Sequence, residues 1–230
     1  MNAPRHIATR AAVAVLATIV SGSATPATAA VPAGYNLVYQ QEFETPEAIC
    51  DFVFANPDNW SVAGGVLKFE GKSNYKPPVR SPLNMALLTS HRVGSFILEC
   101  DLKQTGRDYG HRDMCLFFNF QSPDKFYYSH LATRTDDHAH NIFLVNKAPR
   151  TKISDHTTPG VDWGKDQWHK VRVERFLETG TTKVYFDDME TPVMSATDKN
   201  FADGWMGFGS FDDTGQVDNI KLWAPGEPAN

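Results

Sequence analysis

The run Gln167-Trp168-His169-Lys170-Val171-Arg172-Val173, with Lys183-Val184-Tyr185-Phe186-Asp187-Asp188 behind it, reads as two neighbouring β-strands. From Trp168 to Arg175 the side chains alternate. Trp168, Lys170, Arg172 and Glu174 share one face, and His169, Val171 and Val173 share the other. One apolar and one polar face predict an antiparallel sheet with one wet side. Ser95–Leu102 repeats the pattern: Phe96, Leu98, Cys100 and Leu102 face a core, while Ser95, Ile97, Glu99 and Asp101 face away.

Working outward, the same signature recurs almost everywhere beyond residue 34. Short runs rich in β-branched and aromatic residues, punctuated by Gly, Asn, Asp and Pro, predict strands at Tyr35–Phe43, Trp60–Val62, Val66–Phe69 and Ala86–Thr89. Others are expected at Met114–Phe120, Phe126–Ala132, Asn141–Val145, Thr182–Phe186, Gly204–Phe211 and Val217–Trp223. Only Thr45–Phe52 reads as a helix, with Thr45 as its cap and Pro46 at its first position. Many short strands with no helices between them imply an all-β sandwich or barrel. Two connections, Lys103–Asp113 and Lys147–Gln167, exceed what a hairpin needs and are expected to carry function.

The chain has 230 residues, 41% hydrophobic and 12% aromatic, enough for one domain with a real core. Its 22 Lys and Arg stand against 27 Asp and Glu, with no basic block, which argues against a nucleic-acid partner. Arg5 and Arg10 precede an uncharged apolar run, Ala11–Val20, and then Ala27-Thr28-Ala29. That layout predicts a signal peptide over residues 1–30, a mature domain over 31–230, and secretion to an extracellular or periplasmic space. The apolar run is too short to span a membrane, and a monomer is expected. Cys100 and Cys115, on consecutive predicted strands, are expected to form a disulfide, leaving Cys50 free.

Three stretches together resemble the concanavalin A-like lectin/glucanase jelly rolls, most nearly the laminin-G-like and 3-keto-disaccharide hydrolase domains. They are Asn59-Trp60-Ser61-Val62 running into Gly65-Val66-Leu67, the two strands quoted first, and Gly204-Trp205-Met206-Gly207-Phe208-Gly209 leading to Val217-Asp218-Asn219-Ile220. The resemblance implies two packed antiparallel sheets, a polysaccharide or oligosaccharide ligand lying on the concave one, and often a structural calcium ion. Glu42 on the first long strand and Asp218 on the last offer hard oxygens for that ion.

The densest polar cluster is Tyr127-Tyr128-Ser129-His130 with Arg134, Asp136, Asp137, His138, His140 and Asn141. Tyr128 and His130 lie two apart on a strand and so project from one face about 7 Å apart. A histidine takes a proton near neutral pH and a tyrosine gives one. Arg134, or Asn119 and Gln121 on the next strand, would neutralise a carboxylate. In residue types this resembles the sites of jelly-roll polysaccharide lyases, so the expected activity is lyase cleavage of an acidic glycan, with His130 as base and Tyr128 as acid. The alternatives are a non-catalytic lectin-like module, or hydrolysis of a glycoside or 3-keto-glycoside. Glu99 and Asp101 match two acids of the laminarinase motif E-x-D-x-x-E, but Gln104 stands at the third. His138 and His140, with Asp136 and Asp137, could instead hold a transition metal. Arg112 and Trp163, in the long loops, complete the expected glycan contacts, whereas Trp168 and Trp205 are expected in the core. An acidic ligand requires Arg80, Arg92, Arg112, Arg134, Lys147 and Arg150 to gather on one face.

Overall fold

The computed structural model describes residues 30–70 and 72–226, so the expected signal peptide lies outside the described residues apart from Ala30. Strands β1 (Tyr35–Gln41), β2 (Phe52–Phe54), β3 (Trp60–Val62) and β4 (Leu67–Phe69) come first. The long strands β5 (Asn84–Val93), β6 (Phe96–Gln104), β7 (Asp113–Ser122), β8 (Lys125–Ala132) and β9 (Asn141–Asn146) follow. After the short β10 (Thr151–Lys152) and β11 (Ser154–Thr157) come β12 (His169–Phe176), β13 (Thr181–Phe186) and β14 (Met194–Thr197). The chain closes with β15 (Gly204–Ser210) and β16 (Gly215–Pro225).

These form two antiparallel sheets. One runs β11-β14-β13-β12-β6-β16-β4-β3, with β1 also paired to β16, and the other runs β10-β9-β8-β7-β15-β5-β2. The hairpin read first forms as expected: β12 pairs β13 with Val171 opposite Phe186 and Val173 opposite Val184. Phe96, Leu98, Cys100, Leu102, Val171 and Val173 join Met114, Leu116, Phe118, Tyr127, Leu131 and Ile142 in one core between the sheets.

The expectation of one wet face fails on the seven-stranded sheet. Its outward side chains, Met85, Leu87, Cys115, Phe117, Phe126, Tyr128, Phe143 and Val145, form a second apolar cluster. A proline-bearing segment between β4 and β5 covers it, with Tyr75 and Val79 packed against the cluster. Ser73, Tyr75, Pro77 and Val79 are half-buried, while Lys72, Asn74, Lys76, Pro78 and Arg80 are exposed. This period of two is that of an extended chain lying flat on a surface. The strap is tied down by backbone bonds from Arg150 N–H to Arg80 C=O and from Leu83 N–H to Ser210 C=O.

Other expectations need correction. Residues 46–51 form a 3-10 turn, and the Thr45 side chain makes no capping bond. Cys100 and Cys115 are free thiols: Cys100 faces the inter-sheet core and Cys115 the outer cluster, because the chain crosses from one sheet to the other between β6 and β7. Trp168 is 41% exposed, with Lys103 Nζ 5.9 Å from its ring centroid, so it is not a core residue. Trp205 is only partly buried and packs against the outer cluster. The 147–167 connection is not wholly irregular but carries β10 and β11. Among the described residues no helix is long and apolar enough to cross a membrane.

Candidate functional site

At one end of the strap a polar cleft of about 290 Å³ stays open on the outer side of the seven-stranded sheet. Its floor is built by the first residue of β7, Asp113, by His130 of β8 and by Phe211 after β15. The β6–β7 loop brings Arg107, Tyr109 and His111, the strap brings Arg80, and the β9–β10 turn brings Arg150. His138 and Asp212 close the rim.

A pair of carboxyls anchors the floor. The Asp113 N–H donates to Asp213 Oδ2 (2.9 Å), and the Tyr109 hydroxyl donates to the same oxygen (2.8 Å). Asp113 Oδ2 accepts from Phe211 N–H (3.2 Å) and Cys115 Sγ–H (3.2 Å). Burial, then the neighbouring Asp213 charge, raises the Asp113 carboxyl well above its ordinary value; burial raises Asp213 as well. Asp113 is the drier of the two, and its carboxyl is raised the further. Oxygens of Asp113, Asp212 and Asp213 lie within 4.8 Å of one another, closer than the carboxyl separation either glycosidase mechanism uses.

Tyr128 and His130 do share the outward face, their ring centroids 6.5 Å apart. Their expected chemistry does not follow. The His140 N–H donates to His130 Nδ1 (3.2 Å), which places the ring proton on Nε2, directed at Asp113 Oδ2 (3.4 Å). Burial, then the Arg150 charge, lowers His130 to about 3, so it is neutral but has no lone pair free to take a proton. The same tautomer argues against metal at Asp113, Cys115 and His130, although their ligand atoms are mutually close. The Tyr128 ring stacks on Phe143 and its hydroxyl is fully buried, raised by desolvation, and cannot reach a leaving group.

The other expected residues are scattered. Asn119 is buried at positive φ, donating to Val93 and Gly94 carbonyls, so it fixes the β5–β6 turn. Gln121 donates to the Asp203 carbonyl at that same distant end. Arg134 is exposed and packs along Gly110. His140 is fully buried between Ala132 N–H and Thr158 Oγ1, and Asn141 ties the 133–140 loop through Asp136 and Ala139 carbonyls. His140 therefore cannot join His138 on a metal. Arg112 is buried against Gln104 and the Gly164 carbonyl, and Trp163, 1% exposed, packs on His169 and Phe186 in place of an open stacking platform. Both line a separate cleft. Glu99 and Asp101 project from the nine-stranded sheet: Glu99 pairs with Arg172 (2.6 Å), and Asp101 accepts from Asn219 (2.7 Å).

Of the six cations expected to gather, only Arg80 and Arg150 reach the cleft, joined by Arg107. Arg92 pairs with Asp203 instead. Asp113, Asp213 and Phe211 escaped the sequence reading. The available signal was an acid heading the apolar run Met114–Phe118, and an acidic pair in the final turn.

Glu42 and Asp218 sit on the nine-stranded sheet's outer side. Burial, then the charges of Asp101, Glu42 and Glu44, holds the Asp218 carboxyl above its ordinary value, and Asp101 lies opposite Asp218 across β6 and β16. Glu42 accepts from Gln40 Nε2 and Asp101 from Asn219 Nδ2, and among the described residues the clustered ligand atoms lie at Asp113 and not here.

No family model matches the chain, and no curated protein matches it. Solved structures do. A carbohydrate-binding module, CBM66 from Bacillus subtilis, matches with TM-score 0.57 at 18% identity, covering 75% of this chain and 94% of that one. The GH43 protein BlXynB from Bacillus licheniformis gives TM-score 0.57 at 10% identity over 86% of this chain and 40% of that one. The winged bean acidic lectin, solved with methyl-α-D-galactose, gives 0.50 at 11% identity, covering 75% and 92%. The two antiparallel sheets and these neighbours give the chain the concanavalin A-like jelly-roll fold.

Proposed function

We propose that this protein binds carbohydrate without cleaving it, holding the end of a glycan in the cleft between Arg80, Arg107, Arg150 and the Asp113 floor. The observation that carries this reading is the strap. An extended segment already occupies the outer face of the seven-stranded sheet, so a glycan has no path along it and meets a blind polar cleft at its end. Neighbours that are a carbohydrate-binding module and a lectin support the ligand class. Lyase chemistry, the activity expected from sequence, is disfavoured because His130 has no free lone pair and the Tyr128 hydroxyl is sealed.

The decisive experiment offers a panel of oligosaccharides and polysaccharides to the purified protein, with calorimetry for binding and product analysis for turnover. Saturable binding with intact glycan is the expected result. Unsaturated uronate ends would restore the lyase, and new reducing ends would make it a hydrolase. Calcium belongs to the same reading as a structural ion held by Glu42 and Asp218. The protein is exported after loss of residues 1–30 and acts as a monomer, which N-terminal sequencing of the exported form and light scattering test.

A further inference from the structure

The geometry points to an acidic sugar as the ligand: the glycan end carries a carboxylate or sulfate ester, and Arg150 receives it. This rests on the reading that the cleft binds a glycan. The Arg150 guanidinium lies 4.2 Å from the Phe211 ring centroid and 5.3 Å from that of Phe143, sandwiched by cation–π contacts. Its Nε and Nη1 are buried and make no hydrogen bond of normal geometry, and the group beside the guanidinium is the neutral Tyr128 hydroxyl. A buried guanidinium with no ion pair and only a neutral hydroxyl beside it is costly, so an anionic acceptor is missing from the site.

Arg175 also has a buried, unpaired Nε, but its Nη1 and Nη2 are bonded to Gly180, Thr182 and Asp198, and three further arginines are answered by their own neighbours. Arg92 holds Asp203 through two nitrogens, Arg172 holds Glu99 and Glu174, and Arg112 holds Gln104 and Gly164. Among the described residues, Arg80, Arg107 and Arg150 make no ion pair, although acids outnumber bases 27 to 22 in the whole chain. A net acidic protein has left three guanidiniums unneutralised around one cleft. The nearby acids do not fill the role, since Asp113 is turned to Phe211, Cys115 and His130, and Asp213 to Tyr109 and the Asp113 N–H. The guanidinium's planar fork matches the paired oxygens of a carboxylate or sulfate, and a hydroxyl alone would leave one N–H unused.

The test titrates the protein with four oligosaccharides that differ only at the terminal unit: neutral, uronic acid, carboxyl-reduced uronic acid, and sulfated. The expected outcome is binding of the uronate or the sulfate at least about tenfold tighter than its neutral counterpart, with affinity falling as salt rises. The stronger of the two names the anion. R150Q should lose that preference with little change in melting temperature, because in the free protein the guanidinium loses ring contacts but no ion pair. Should R150Q fail to fold, R80Q/R107Q, at two exposed positions, should lower both the acidic preference and the salt dependence. Equal affinity for neutral and acidic ends would overturn the acidic ligand while leaving the carbohydrate reading intact. No binding of any glycan would overturn both.

Discussion

The outer faces of the two sheets handle buried charge in opposite ways. On the nine-stranded sheet Arg172 is 1% exposed and fully answered, by Glu99 at 2.6 Å and Glu174 at 2.8 Å. On the seven-stranded sheet Arg150 is stacked between phenylalanine rings with two nitrogens unanswered. A charge whose partners are built into the fold is part of the architecture. A charge held in place by rings alone has its partner still to come.

The largest effect should come from breaking the answered side. Glu99→Ala removes the closest carboxylate from the buried Arg172, and should cost about 3 kcal/mol in denaturant unfolding. Glycan affinity should stay unchanged, since Glu99 is on the opposite sheet from the cleft. Loss of affinity with retained stability would reverse the assignment of the two faces, and would revive the laminarinase-like reading of Glu99 and Asp101.

The second way to sharpen the contrast uses pH. Burial lowers His130 to about 3 and His140 to about 4, against an ordinary 6.5. Below that ordinary value the unfolded chain takes up protons before the folded one does. Their contribution is therefore complete above pH 6.5 and lost as pH falls toward 3–4. Between pH 7 and about 4.5, His130 alone should account for a loss on the order of 2–3 kcal/mol. His130→Gln should shrink that loss, as measured by unfolding at both pH values. Asp113, with its raised carboxyl, acts in the opposite sense and destabilises as pH rises, so the variant must be compared with the wild type at each pH. Parallel pH profiles would show that His130 is not held neutral by its burial.

The nine-stranded sheet also carries the calcium reading. Calcium that binds only the folded state stabilises by mass action, on the order of 1–3 kcal/mol near saturation. A chelator should then lower the melting temperature, Glu42→Ala should abolish that response, and the cleft should bind glycan as before. A melting curve indifferent to chelator would remove calcium from the account.

Much of the architecture was legible because alternation reports directly on which side chains face inward. Phe96, Leu98, Cys100 and Leu102 went where their period placed them. Alternation does not report what covers a face. His130 and Tyr128 were placed on the right side of their strand, yet the strap and its neighbours bury both. Their outward neighbours Cys115, Phe117, Phe126 and Phe143 are themselves apolar, and that was the available sign of a second dry surface. The cleft was harder to read, since Asp113, Arg150 and Phe211 come from three separate segments. The same crossover that gathers them put Cys100 and Cys115 into different sheets, undoing a pairing based on neighbouring strands.

The smallest expected effect bears most directly on binding against catalysis. The Tyr128 hydroxyl is buried and completes no hydrogen bond, although Arg150 lies beside it and its charge opposes the upward push of burial. Removing a buried hydroxyl that has no partner relieves a desolvation cost and loses little packing. Tyr128→Phe should therefore change stability by under about 1 kcal/mol, in the stabilising direction if at all. The ring keeps its stack on Phe143, so the platform that positions Arg150 is preserved. Affinity for an acidic glycan end should move by less than about threefold, a shift of roughly 0.7 kcal/mol. A lyase acid makes the opposite demand: the same variant would bind normally and lose turnover by about two orders of magnitude or more. Calorimetry and product analysis on this one variant thus separate an unanswered hydroxyl left over from packing from one that moves a proton.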